Sequence, residues 1–163
     1  MIELEAKSTP RSLPKSHGLT LAQFVELRNG VPLGAPGSLR YMLERSFGAE
    51  NFGKFWQYWN PIWGYALGKY VYTPLRRLLP AALALVLTFV ISGAIHDFAA
   101  MLVKGATIVL FTPWFLLMSL GVVVGRALHF DYAGRSFATR VAINLSYVLG
   151  CLAITLLAKS LII

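Results

Sequence analysis

"LLPAALALVLTFVISGAIHDFAAML", residues 78–102, is the stretch on which the fold turns. It is apolar over its whole length except for Thr88, Ser92, His96 and Asp97. A helix that crosses a membrane needs about 20 such residues. Two further runs approach that length, "ATIVLFTPWFLLMSLGVVVG" at 106–125 and "VAINLSYVLGCLAITLLA" at 141–158. Pro113 predicts a kink in the second run. Its "GVVVG" pair, Gly121 and Gly125, predicts close approach of helix backbones. The expected fold is all-α and integral to a membrane, with about three transmembrane helices.

Composition agrees. The chain has 163 residues, of which 56% are hydrophobic and 13% charged, against roughly 25% charged in an average soluble domain. The length suits one packed unit. The net charge of +8 points to an anionic membrane surface and not to nucleic acid, because the basic residues flank apolar runs. Ten Lys or Arg precede the first run, one follows it, three follow the second, and one lies near the C-terminus. With three spans, thirteen fall on one side and two on the other. The positive-inside rule then places the N-terminus in the cytoplasm, with the inner membrane as the location in a bacterial cell. The opening "MIELEAKSTPRSLPKSHG" lacks an apolar core and does not read as a secretory signal. The single cysteine, Cys151, excludes an intrachain disulfide and a cysteine metal site. His17, His96 and His129 show no pairing at helical spacing, so no metal is expected.

Upstream of the first run, residues 1–37 form a polar N-terminal segment and linker. Within it, 19–28 suits a short helix capped by Thr20, and "NGVPLGAPG" at 29–37 is Gly/Pro-rich. The membrane domain is expected over 38–163. It begins with an amphipathic helix at 38–47. The stretch "NFGKFWQYWNPIWGYALGKYVYTPLRR", 51–77, is apolar but interrupted by Lys54, Asn60, Pro61 and Lys69. It reads as an aromatic-rich interfacial or re-entrant segment.

Two places carry candidate chemistry. Thr88, Ser92 and His96 recur every four residues and share a helix face. At about 1.5 Å per residue, His96 lies about 22 Å along a span that starts at Ala81. An ionisable group there marks either a functional site or the wet end of the helix. Asn60–Pro61 suits a helix start, with Asn as N-cap. If helix continues, Asn60, Gly64 and Gly68 fall on one face beside Trp56, Trp59 and Trp63. That would make a groove floored by glycine and walled by indoles, suited to an acyl chain. The competing reading is an aromatic belt at the membrane interface. No phosphate-binding glycine loop, nucleophile elbow or dinucleotide fingerprint is present.

The combination of Phe55, Trp56, Trp59 and Asn60, then Val71, Tyr72, Pro74 and Arg76, then Ser92, Gly93, His96 and Asp97 resembles the membrane-bound O-acyltransferase superfamily. The wax-synthase-like branch is the nearest in pattern, in a much shortened form. The match covers roughly 39–100. Full members have eight or more spanning helices, and Gln57 and Tyr58 stand where they often carry basic residues. The resemblance implies that His96 is a general base and Asn60 its polar partner. Trp56, Trp59, Trp63, Gly64 and Ser92 would line the substrate site. It also implies an acyl-CoA or similar thioester donor, a lipid or small-alcohol hydroxyl as acceptor, no permanently bound cofactor, and membrane lipids as surroundings. The short chain implies a homo-oligomer or a partner membrane subunit. A non-enzymatic membrane subunit or scaffold is the alternative, and a small transporter with His96 in a proton path is a third.

Overall fold

In the computed structural model, residues 18–106 and 109–161 are described. Residues 1–17, His17 and most of the polar N-terminal segment among them, lie outside the described residues. Thr20 organises the first helix. Its hydroxyl accepts from the Gln23 amide, and the Gln23 side chain reaches back to the Thr20 amide. This capping box satisfies two donors that a helix start otherwise leaves open. α1 (Leu21–Asn29) follows and ends at Gly30, whose φ of 79° suits a residue without Cβ. After the Gly/Pro linker come α2 (Ser38–Phe47) and α3 (Phe52–Tyr58), the latter capped by Asn51. α1 docks into the body: Phe24 meets Tyr65 edge-on at 5.5 Å, and the Tyr65 hydroxyl donates to the Leu19 carbonyl.

The stretch expected to be interfacial or re-entrant is helical on both sides of one break. Trp59 is extended and Asn60 is left-handed, at φ 41° and ψ 70°. From there α4 (Pro61–Leu67), a π-helical turn (Gly68–Tyr72) and α5 (Thr73–Leu78) run on as one rod. Pro74 explains the π turn. Proline has no N–H and its ring collides with the carbonyl four residues earlier. The widened turn moves that carbonyl aside, and both the amide and the hydroxyl of Thr73 bond to the Gly68 carbonyl.

Three long helices complete the chain: α6 (Ala81–Lys104), α7 (Phe111–Ala127) and α8 (Phe137–Ser160). No strand occurs among the described residues. α6 and α8, of 24 residues each, are long and apolar enough to cross a membrane. α7 has 17 residues, or about 25 Å of helix, short of a hydrocarbon core of about 30 Å. The expected three spans thus become two of full length and one shorter apolar helix. Pro113 does not kink α7. It sits in the first turn, where its missing N–H breaks no intrahelical bond.

α6 and α7 approach each other closely at Gly93. A Cβ there would fall 2.7 Å from the Thr112 Cα and 2.8 Å from the Phe111 carbonyl oxygen, both main-chain atoms. The pair singled out from sequence behaves differently. A Cβ on Gly121 would make ordinary contact with Tyr147 and Phe52, inside the chain, and one on Gly125 would meet open space.

The core is aromatic. Phe52 stacks on Tyr147 at 4.7 Å, and Phe55 stacks on Trp59 at 5.6 Å. Phe55 is only 2% exposed and packs with Phe52, Met118 and Val122. The Trp-rich element therefore builds the core as well as any interface. Asn144 on α8 is fully buried and ties that helix down. Its amide donates to the Phe47 and Ala49 carbonyls at 2.9 and 3.0 Å, and its oxygen accepts from the Tyr132 hydroxyl at 2.6 Å.

Candidate functional site

A cavity of about 850 Å³ opens between α1, α3, the α4–α5 rod, α6 and α7. Its size lies within the range of small-molecule sites, roughly 300–1,000 Å³. All seven residues singled out from sequence line it: Trp56, Trp59, Asn60, Trp63, Gly64, Ser92 and His96. They come from two segments some thirty residues apart, which the fold brings together. A Cβ at Gly64 or Gly68 would project into open space, so glycine there keeps the wall low.

Four of the seven lie on one hydrogen-bonded path. The Asn60 side-chain oxygen accepts from the Trp63 amide at 3.3 Å. The Trp63 indole N–H donates to the Ser92 hydroxyl at 2.9 Å. The Ser92 carbonyl bonds His96 Nδ1 at 2.6 Å. A carbonyl can only accept, so Nδ1 carries the proton. In the neutral ring Nε2 then holds the lone pair. Aromatic rings enclose the imidazole: Trp63 edge-on at 5.8 Å, Phe115 at 5.2 Å and Phe111 at 5.6 Å. Asn60 and His96 share no direct hydrogen bond. Trp63 and Ser92 connect them.

Asn60 is a helix cap, as Asn-Pro suggested, and its cap uses only the oxygen. The NH₂ group is left as a donor. Its left-handed backbone is one that asparagine tolerates better than most residues. Thr88, on the same face as His96, bonds back to its own helix at the Ala84 carbonyl. Ser92 makes no such bond: its hydroxyl accepts from Trp63, and its carbonyl accepts from His96 Nδ1 on the next turn.

Asp97 has a role that the sequence reading missed. Its carboxylate accepts from the amides of Leu110, Phe111 and Thr112 at 2.8–2.9 Å and from the Thr112 hydroxyl at 2.6 Å. It caps α7 from α6, at the turn that carries Phe111 and Phe115 to the imidazole. The only hint in sequence is an acidic residue next to His96. Also unforeseen is the cationic part of the cavity wall, Arg28, Lys69 and Arg126. His129 is exposed in the α7–α8 connection, with φ 52°, and does not line the cavity. Among the described residues no group of three His, Cys, Asp or Glu converges as metal ligands would.

Comparison with protein-family models, with curated proteins and with solved structures finds no match to this chain. The acyltransferase resemblance rests on its motif residues alone.

Proposed function

We propose that this chain is a membrane-embedded O-acyltransferase, moving an acyl group from a thioester such as acyl-CoA to the hydroxyl of a lipid or small alcohol. The observation that carries the reading is the single cavity lined by the Trp-rich element, Asn60, Ser92 and His96. In this account His96 Nε2 takes the hydroxyl proton as the acceptor oxygen attacks the thioester carbonyl. The Asn60 NH₂ donates to the developing oxyanion. The C–S bond then breaks, and the thiolate leaves with the proton returned by the imidazolium. Trp56, Trp59 and Trp63 wall the acyl chain beside Gly64, and Ser92 orients His96.

The membrane setting is part of the proposal. Only 11% of the apolar stretch of α8 is buried within the fold. Leu102, Val103 and Leu157 are also exposed. A core helix of a soluble protein would hide such a surface. Counting three crossings, the thirteen-to-two division of basic residues favours a cytoplasmic N-terminus. A second copy or a partner membrane subunit belongs to this reading as a further wall of the site.

One observation favours the non-enzymatic alternative. The Asn60 oxygen and both oxygens of Ser92 are already used in bonds that hold the fold together. Mass spectrometry of lipids copurifying with the protein separates the two. A bound acyl thioester or a newly esterified lipid is expected. Only the bulk phospholipids of the host membrane, in bulk proportions, would favour the scaffold.

A further inference from the structure

The cavity wall carries Arg28, Lys69 and Arg126, and no Asp or Glu among its lining residues. The ion pairs among the described residues are Arg40–Glu44 and Lys54–Glu50, so none of these three cations is paired with a carboxylate there. Arg28 is the least well compensated. It is half-buried, and its Nε is shielded from solvent with no hydrogen-bond partner. One terminal nitrogen donates to the neutral Gln57 at 2.9 Å, and the guanidinium lies 5.2 Å from the Phe24 ring centre. Arg45 adds to the local charge, donating to the Arg28 carbonyl at 2.8 Å. Burial pushes the Arg28 guanidinium down from its usual range. A partly desolvated cation without an anion is costly, and a bound anion relieves that cost. The rest of the wall, with Trp63, Leu85, Phe89 and Phe115, is mainly apolar, and the Trp56 indole N–H is a further buried donor without a partner.

We infer that the cavity binds an anionic amphiphile, with a phosphate-type head at Arg28 and Arg126 and an apolar chain along the indole wall. This rests on the proposed use of the cavity as a substrate site. A donor such as acyl-CoA already carries phosphate, and the inference adds that Arg28 and Arg126 are the residues that hold a substrate's charged head. Arg28 lies outside the stretch that carries the acyltransferase resemblance.

Three of the four tryptophans line the cavity, so their fluorescence reports occupancy. The full chain in an uncharged maltoside detergent is titrated with dihexanoyl phosphatidic acid, with dihexanoylglycerol and with inorganic phosphate. Phosphatidic acid should bind at least about tenfold more tightly than the neutral lipid, as a charge-assisted hydrogen bond implies. Inorganic phosphate should bind more weakly than either lipid. Arg28→Gln should abolish the preference for charge, and Arg28→Lys should keep most of it. Arg126→Gln, at an exposed position, should reduce it in part and guards against a folding defect in the Arg28 variant. Equal binding of the two lipids overturns the inference. So does a preference that survives both Arg28→Gln and Arg126→Gln, or inorganic phosphate binding as tightly as phosphatidic acid. His96→Ala separates this inference from the transfer chemistry. That variant should retain the charge preference with no turnover. His96-dependent turnover without any charge preference in the wild type would sink the inference alone.

Discussion

The N-termini of α4 and α7 both need an acceptor for their open amides, and they obtain it by different routes. At α4, Asn60 serves the Trp63 amide three residues on, through one contact of 3.3 Å. At α7, Asp97 reaches across from α6 and accepts four hydrogen bonds, none longer than 2.9 Å. A carboxylate at the positive end of a helix also gains from the aligned peptide dipoles. The α4 cap lets the chain turn sharply and leaves the amide NH₂ uncommitted. The α7 cap joins two helices and holds Phe111 and Phe115 beside His96. The first is suited to a site and the second to a frame.

Removing the frame should cost most. Asp97→Ala leaves three amides and a hydroxyl without their acceptor, and should lower stability by about 3 kcal/mol. Asp97→Asn keeps one acceptor oxygen and should cost roughly half as much. Reversible unfolding in mixed detergent measures both, and a silent Asp97→Ala would remove the distinction between the two caps. Gly93→Ala tests the same joint from its backbone. With its Cβ 2.7 Å from Thr112 Cα, it should separate α6 from α7 at a cost of about 1–3 kcal/mol. Gly125→Ala, which meets open space, should be neutral in the same experiment.

The local cap should cost less. Asn60→Ala loses the acceptor and strains a left-handed residue, together about 1–2 kcal/mol. Asn60→Gly relieves the strain and should cost only a few tenths. Equal losses for the two would mean that the backbone at Asn60 is unstrained.

A loss no larger than that of Asn60→Ala is expected at Tyr132, whose hydroxyl donates to the buried Asn144 oxygen. Tyr132→Phe should cost about 1 kcal/mol. Burial pushes this phenol up from its ordinary value near 10. The folded protein therefore keeps the proton when the unfolded chain has lost it. Stability from this residue is complete below about pH 10 and declines as pH rises further. The wild type should lose stability there more steeply than Tyr132→Phe, and identical alkaline slopes would contradict this.

The contrast also explains how far the sequence could be read. The Thr20 cap, the Gly/Pro linker and the Asn60–Pro61 start were legible because each depends on residues a few positions apart. The three apolar helices were legible from their length. Pro113 was misread as a kink because the start of α7 is set by Asp97, thirteen to fifteen residues earlier on another helix. Gly121 and Gly125 carried a familiar spacing, yet the tight approach occurs at Gly93, against the backbone of Thr112. The seven candidate residues were picked out as a set through the resemblance, and the fold places them around one cavity. The bonds joining Asn60 to His96 through Trp63 and Ser92 required the fold, as did the cationic wall, because Arg28 and Arg126 lie far apart in the chain.

Acyl transfer at the cavity that joins His96 and Asn60 is tested most directly by turnover of the reconstituted protein, with a thermal melt for each variant. His96→Ala should lose about 10²–10⁴-fold in rate, the usual value of a general base. Asn60→Asp retains an oxygen to cap α4 but no longer has the NH₂ donor, so its melt should stay near wild type. Its turnover should fall by about 10²–10³-fold, as for the loss of an oxyanion donor. Full turnover in His96→Ala would contradict the account, and full turnover in Asn60→Asp would reduce Asn60 to a helix cap.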